Sequence, residues 1–280
     1  LQSAVVLLGF GMNLGVIFQT GKQSLPIIVC TITTSLIIAW ILQKILKVPA
    51  NTSILVGVGS SICGGSAIAA TAPVIDADDD EIAQSIAVIF FFNVLAAIFF
   101  PILGKAIGFD TVHGDAFGIF AGTAINDTSS VTAAASTWDS MWNLGSETLN
   151  KAVTVKLTRT LAIIPITLGL SLIRSRQSAK EGKQAAKFSF KRAFPMFILY
   201  FVLAAIITTV CVHMGVNAEV FHPLKELSKF MIIMAMAAIG LNSNVIQLIK
   251  TGGKPIIVGA SCWCGITAVS LIMQHIMRIW

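Results

Sequence analysis

The chain is 280 residues long, 55% hydrophobic and only 11% charged, whereas water-soluble domains carry about 25% charged side chains. That balance excludes an ordinary soluble globular domain and makes lipid the expected solvent. A net charge of +6 without an aromatic-interleaved basic motif gives no support to nucleic-acid binding.

Apolar runs of about 20 residues, the length of a helix that crosses a bilayer, recur from end to end. Spans are predicted at 1–20, 25–46, 51–74, 82–106, 117–137, 152–173, 194–213, 223–241 and 255–277, nine candidates, with 59–73 and 122–136 either broken crossings or re-entrant pairs. The expected fold class is all-α: a polytopic helical membrane protein with inverted-topology repeats and discontinuous helices, in one domain over 1–280. The chain begins at Leu1 inside an apolar run without a basic n-region, so it does not read as a signal peptide; further helices are expected upstream.

The first span ends in a segment that returns near the other end of the chain. Residues 11–29 (GMNLGVIFQTGKQSLPIIV) align without gaps to 240–258 (GLNSNVIQLIKTGGKPIIV) with eight of nineteen positions identical. Gly11, Asn13 and Pro26 match Gly240, Asn242 and Pro255. With nine crossings the two copies run in opposite directions, the relation from which many secondary transporters are built. Asn13 and Asn242 are read either as cavity-lining amides or as helix-helix clasps.

Residues 59–73 (GSSICGGSAIAATAP) come next, an uncharged run of small residues inside a membrane-length segment. Irregular backbone is tolerated at that depth only where it packs inside protein or lines a wet cavity. A broken helix here would aim free N–H groups into the gap, an arrangement suited to an oxyanion. Gly64 and Gly65 permit close backbone approach, and Ser60, Ser61 and Ser66 add hydroxyl donors. Tight helix packing through small residues is the competing explanation. The Gly57 and Gly59 spacing does not make a dinucleotide site, because its flanks are membrane-length apolar runs rather than a βαβ unit.

An acid-rich turn, 76–81 (DADDDE), precedes the fourth span, where Asn93 among phenylalanines reads as a clasp. Residues 122–136 (GTAINDTSSVTAAAS) then repeat the small-residue pattern, with five identities in fifteen positions to 59–73. Asn126 and Asp127 fall at mid-span, with Thr123, Thr128, Ser129, Ser130 and Thr132 nearby. An acid at that depth is expensive and marks function by default. Asp127 is therefore a candidate for proton exchange during transport, the alternative being a fixed ion pair that locks two helices.

Lys156 and Arg159, three apart, share one helix face in the sixth span. They either neutralise an anion, or pair with Asp127, or cap carbonyls of a broken helix. The segment 174–193 separates the two halves, and its 174–192 stretch carries seven Lys or Arg and one Glu, which makes it cytoplasmic. Nine crossings add Lys44, Lys47, Lys105, Lys250 and Lys254 to that side and leave Lys22, Lys151, Lys225, Lys229 and Arg278 opposite.

Cys30, Cys63, Cys211, Cys262 and Cys264 have neither finger nor CxxC spacing and read as packing residues. His113, His213, His222 and His275 lack ligand spacing, so no metal or other cofactor is expected. No serine has a nucleophile-elbow context, and no enzymatic activity is expected.

Taken together, LLGFGMNLG, GSSICGGSAIAATAPV, the acid-rich turn before a long apolar helix, GTAINDTSSVTAAAS, KAVTVKLTRT and AAIGLNSN resemble the YeiH-like sulfate exporter family of bacterial inner-membrane proteins. The match runs through essentially the whole chain. It implies a plasma (inner) membrane location and distant kinship with cation/proton antiporters and bile-acid-type transporters, whose folds use inverted repeats and crossing broken helices.

The function expected is a secondary active transporter of a small inorganic or organosulfur anion such as sulfate or sulfite, working by alternating access. Proton coupling, sodium coupling and homodimer formation stay open. The substrate-binding set is Ser60, Ser61, Gly64, Gly65, Ser66, Thr123, Asn126, Thr128, Ser129 and Arg159, with Asp127 and Lys156 as coupling residues. A passive anion channel and a cation/proton antiporter-like protein are the alternatives.

Overall fold

The computed structural model describes residues 2–11, 14–163, 165–170, 173, 196–228, 230, 231, 234 and 253–280. Asn13, Asn242, the basic segment 174–193 and most of the second repeat copy lie outside the described residues. Among the described residues every regular element is helical. The helices are α1 (Gln2–Gly9), α2 (Leu14–Leu46), α3 (Ala50–Ser61), α4 (Gly65–Thr71), α5 (Asp79–Ile107), α6 (Asp115–Ala124), α7 (Thr128–Trp142), α8 (Glu147–Thr160), α9 (Met196–His213) and α10 (Gly253–Ile276).

The predicted division between a first and a second span at 20–25 is not where the chain breaks. α2 runs unbroken for 33 residues through Gly21, Lys22 and Pro26, and the interruption falls upstream, between α1 and α2. Thr208 and Thr209 of α9 satisfy it: Thr208 Oγ1 donates to the Phe10 carbonyl at 3.0 Å, and Leu14 N donates to Thr209 Oγ1 at 3.1 Å. The polar residues that looked like a loop are a contact with α8, where Lys151 Nζ donates to Gln23 Oε1 at 3.1 Å.

Both small-residue segments break, and each turns back on itself. The first break, at residues 62–64, separates α3 from α4. Ile68 of α4 packs on Gly59 of α3, and Ala72 and Ile75 cluster with Leu55 and Val56, so the two helices form an antiparallel hairpin. α3 has 12 residues, about 18 Å of helix, which is too short for a hydrocarbon core of about 30 Å. Asn51 Nδ2 then donates to Glu81 Oε2 at 3.0 Å, placing the start of α5 on the face by which α3 entered. The acid-rich turn begins α5 with a reciprocal cap, Glu81 N donating to Asp78 Oδ1 at 2.8 Å and Asp78 N to Glu81 Oε2 at 3.2 Å.

The second hairpin enters from the other face. α6 and α7 are joined through residues 125–127, and Phe117 of α6 stacks on Trp138 of α7 with ring centroids 4.3 Å apart. Gly104, near the end of α5, touches both rings. At its far end α7 meets the start of α8, where Asp139 accepts from Thr148 N at 3.0 Å and from Leu149 N at 2.9 Å. The end of α5, the open end of this hairpin and the start of α8 therefore share one face.

Of the two readings of 51–74 and 117–137, broken crossings or re-entrant pairs, these reversals favour re-entrant pairs. Nine crossings would place Lys105 with Lys44 and Lys47 and put the acids of 76–81 opposite them. In the structure the acids share a face with Lys44 and Lys47, and Lys105 lies on the other. The two reversals cancel beyond α7, so the helix Glu147–Leu170 still leaves toward the face of Lys44 and Lys47. Lys254 Nζ donates to the Leu46 carbonyl at 3.1 Å, which adds the start of α10 to that face. The basic stretch 174–192 follows the helix that leaves toward this face, so the positive-inside rule makes it the expected cytoplasmic one.

α2 holds most of the first copy of the longer repeat, α10 opens with the described end of the second, residues 253–258, and the two helices run antiparallel. Lys254 meets Leu46, Cys262 Sγ lies 3.6 Å from the Ser35 carbonyl, and Met273 and Met277 pack with Ile27 and Ile28. The shorter repeat relates two hairpins that enter from opposite faces. Both pairings join elements of opposite direction, as an in-plane pseudo-two-fold requires. Four helices among the described residues are long and apolar enough to cross a membrane: Ile17–Leu46, Asp79–Ile107, Glu147–Leu170 and Gly253–Ile276.

Candidate functional site at the meeting of two hairpins

A helix ends with carbonyls that have no partner within it and with a partial charge of about −0.5. α3 and α6 both end inside the molecule, so two such ends must be satisfied away from water. Lys156 and Arg159 of α8, both fully buried, do this. Arg159 Nη2 donates to Ser60 O at 2.7 Å, Nε to Ser61 O at 2.8 Å, and Nη1 to Thr123 O at 2.7 Å and Ile125 O at 3.2 Å. Lys156 Nζ donates to Ile62 O at 2.5 Å and Ile125 O at 3.1 Å.

The pattern follows the shorter repeat. Ser60 aligns with Thr123 and Ile62 with Ile125; Arg159 joins the first pair and Lys156 the second. One helix thus ties the two tips together through equivalent carbonyls. Of the roles open to these cations from sequence, their geometry is that of carbonyl caps, and no ion pair to Asp127 is present among the described residues.

Asp127 is the N-cap of α7. Its Oδ2 accepts from Ser129 N at 3.0 Å and from the Ser129 hydroxyl, so a carboxylate of the chain itself occupies that helix start. α5 braces the same tip: Asn93 Oδ1 accepts from Asn126 N at 3.2 Å and Asp127 N at 3.3 Å. The other tip lies against it. Gly64 has φ +68°, a conformation L side chains rarely adopt, and a Cβ placed there would sit 3.6 Å from Asp127 Cβ and 3.5 Å from Asn93 Nδ2.

Burial at this point is not matched by full hydrogen bonding. Among the described residues, Asn126 Oδ1 and Nδ2 and Asn93 Nδ2 are all buried without a hydrogen-bond partner. Buried polar atoms are normally paired, so several orphans at one contact are a ligand signal.

The other predicted residues are placed as follows. Ser61 Oγ turns back to the Val58 carbonyl at 2.9 Å, and Thr123 Oγ1 donates to Ile119 O and lies 2.7 Å from Ser270 Oγ of α10. Thr128 and Ser129 are buried in the first turn of α7. Gly65 is half-buried and Ser66 is exposed on α4. The tips therefore bring together Ser60, Ser61, Gly64, Asn126, Asp127, Lys156 and Arg159. Sequence reasoning had assigned Asn93 to a clasp elsewhere; its signal was a lone amide after Phe90, Phe91 and Phe92.

A family model described as Conserved hypothetical protein 698 matches residues 1–259. The chain belongs to this family. A UPF0324 membrane protein of Streptococcus mutans is 63% identical over 281 residues, covering 100% of this chain and 81% of the relative. A UPF0324 membrane protein of Streptococcus agalactiae is 58% identical over 280 residues with the same coverage, and one of Fusobacterium nucleatum is 57% identical over 291 residues, covering 100% of this chain and 82% of the relative. No solved structure matches. The motif resemblance to the YeiH-like family is consistent with this membership. The chain is an integral membrane protein of the family, all-α and polytopic.

Proposed function

We propose that the chain forms the transport core of a secondary transporter that moves a small inorganic or organosulfur anion by alternating access. The observation that carries this reading is the meeting of two hairpins, inserted from opposite faces, at one buried polar point. Alternating access needs a single mid-membrane site that either face can reach, and each hairpin closes the route from its own side. Withdrawal of one tip opens one route while the other stays shut.

The sign of the cargo follows from charge. Two cationic side chains and one carboxylate line the contact. The C-terminal ends of α3 and α6 offset part of the positive charge, about half a unit each, and the N-terminal end of α7 works the other way against Asp127. A divalent or monovalent anion is accommodated there at lower cost than a cation, which would face Lys156 and Arg159. Asp127, hydrogen-bonded at its own helix start and within electrostatic reach of Lys156, is the group we assign to take up and release a proton.

The test is uptake by the intact protein in vesicles, with sulfate, sulfite, thiosulfate and small sulfonates, with and without a pH gradient. Saturable uptake that responds to the gradient is expected, and Asp127→Asn is expected to abolish the response while leaving anion exchange. Non-saturating flux indifferent to Asp127→Asn would make the protein a passive channel. Proton or sodium exchange without anion flux would make it an antiporter of cations.

A further inference from the structure

Asn93 and Asn126 are 2% and 1% exposed, yet three of their four side-chain polar atoms have no hydrogen-bond partner among the described residues. The fourth, Asn93 Oδ1, is committed to two backbone N–H groups of the second hairpin tip. That use fixes the orientation of the amide and directs its Nδ2 toward Gly64 of the first tip, 3.5 Å from where a Cβ would stand. Lys156 carries three N–H donors, of which two reach carbonyls. Arg159, by contrast, places all three of its nitrogens on carbonyl oxygens.

We infer that the amide nitrogens of Asn93 and Asn126, with the remaining N–H of Lys156, are the donors that hold a small oxyanion between the tips, and that Arg159 holds the hairpins rather than the anion. This rests on the transporter reading and sharpens it. Neutral amides suit a cargo that must leave again, because they bind an anion without a permanent counter-charge. The same amides also read the tips: Asn93 is on α5, Asn126 is on the second hairpin, and Lys156 touches both hairpins. An anion bound to all three bridges the elements whose separation opens the site.

Asn126→Ala is the informative variant, since it deletes two atoms that make no hydrogen bond among the described residues and lets a structural clasp be told from a ligand donor. Asn93→Asp keeps an acceptor for the two backbone N–H groups, replaces the donor with an oxygen and adds a negative charge that opposes a bound anion. In the full-length protein in detergent, the unliganded Tm of Asn126→Ala is expected to hold or rise. The stabilisation by added sulfate or sulfite is expected to vanish in both variants. In vesicles their KM for uptake should rise by at least about tenfold, the effect of losing a hydrogen bond to a charged group.

A lower unliganded Tm in Asn126→Ala with an unchanged KM would overturn the assignment and make the amide a clasp. Saturable wild-type flux with KM unchanged in both variants would overturn it too, while leaving the transporter reading intact. No saturable anion flux and no anion-dependent Tm shift in the wild type would overturn both.

Discussion

A guanidinium that reaches four backbone carbonyls across two hairpins acts first as a structural brace. In Arg159→Gln the carbonyls of Ser60, Ser61 and Thr123 lose their donors, at about 1–3 kcal/mol for each buried group left unpaired. A large fall in Tm and in folded yield is expected, measured by thermal unfolding in detergent, with Arg159→Lys intermediate. Asp127→Asn differs in kind. Asn caps helices as well as Asp, so the cost is expected to stay under about 1 kcal/mol, and unfolding of the purified variant checks it against the flux defect. The spacing of Lys156 and Arg159 was readable in the sequence because i and i+3 share a face. Their partners were not, because a main-chain carbonyl has no residue signature. Asn93 was missed for a related reason: its oxygen serves backbone N–H groups 33 and 34 residues further on, a pairing no local pattern records.

At the scale of elements, the hairpins depend on close approach. α6 lies along α8 with Gly114, Gly118 and Gly122 against Thr148, Lys151 and Val155, and a Cβ on Gly122 would come within 2.7 Å of Val155 Cβ and 2.8 Å of the Ala152 carbonyl. Gly122→Ala is expected to cost about 1–3 kcal/mol through overpacking, read as a lower Tm. Gly64→Ala adds the cost of a positive-φ backbone outside the left-handed α well, φ 68° and ψ −126°, about 1–3 kcal/mol, and puts a methyl group between the tips. The broken helices were legible from runs of small residues; their return was not, because a helix that re-enters has the same period as one that crosses. Length did not decide between them, since the pieces on either side of the break at residues 62–64 are each about half a crossing in a broken span as well as in a hairpin.

For the molecule as a whole, the two hairpins set topology. Each reverses the chain, and two reversals leave the later helices oriented as a count of crossings would have them. The expectation that 174–193 is cytoplasmic is therefore the same with two hairpins as with two crossings. The nested order of the two repeats has a related origin, since α2 pairs with α10 and the hairpins pair with each other through one relation of opposite direction. The antiparallel contact of α2 and α10 and the equivalent capping of Ser60 with Thr123 are its geometric trace.

Transport between two hairpin tips requires that the hairpins turn back rather than cross, and side-specific labelling measures that directly. Single cysteines at Lys47, Asp78 and Lys105, all exposed, would be introduced in a background without native cysteines and treated in intact cells with a membrane-impermeant maleimide. The prediction is that Lys105→Cys labels from outside, while Lys47→Cys and Asp78→Cys label only after the membrane is opened. Labelling of Asp78→Cys from outside, with Lys105→Cys protected alongside Lys47→Cys, would contradict it.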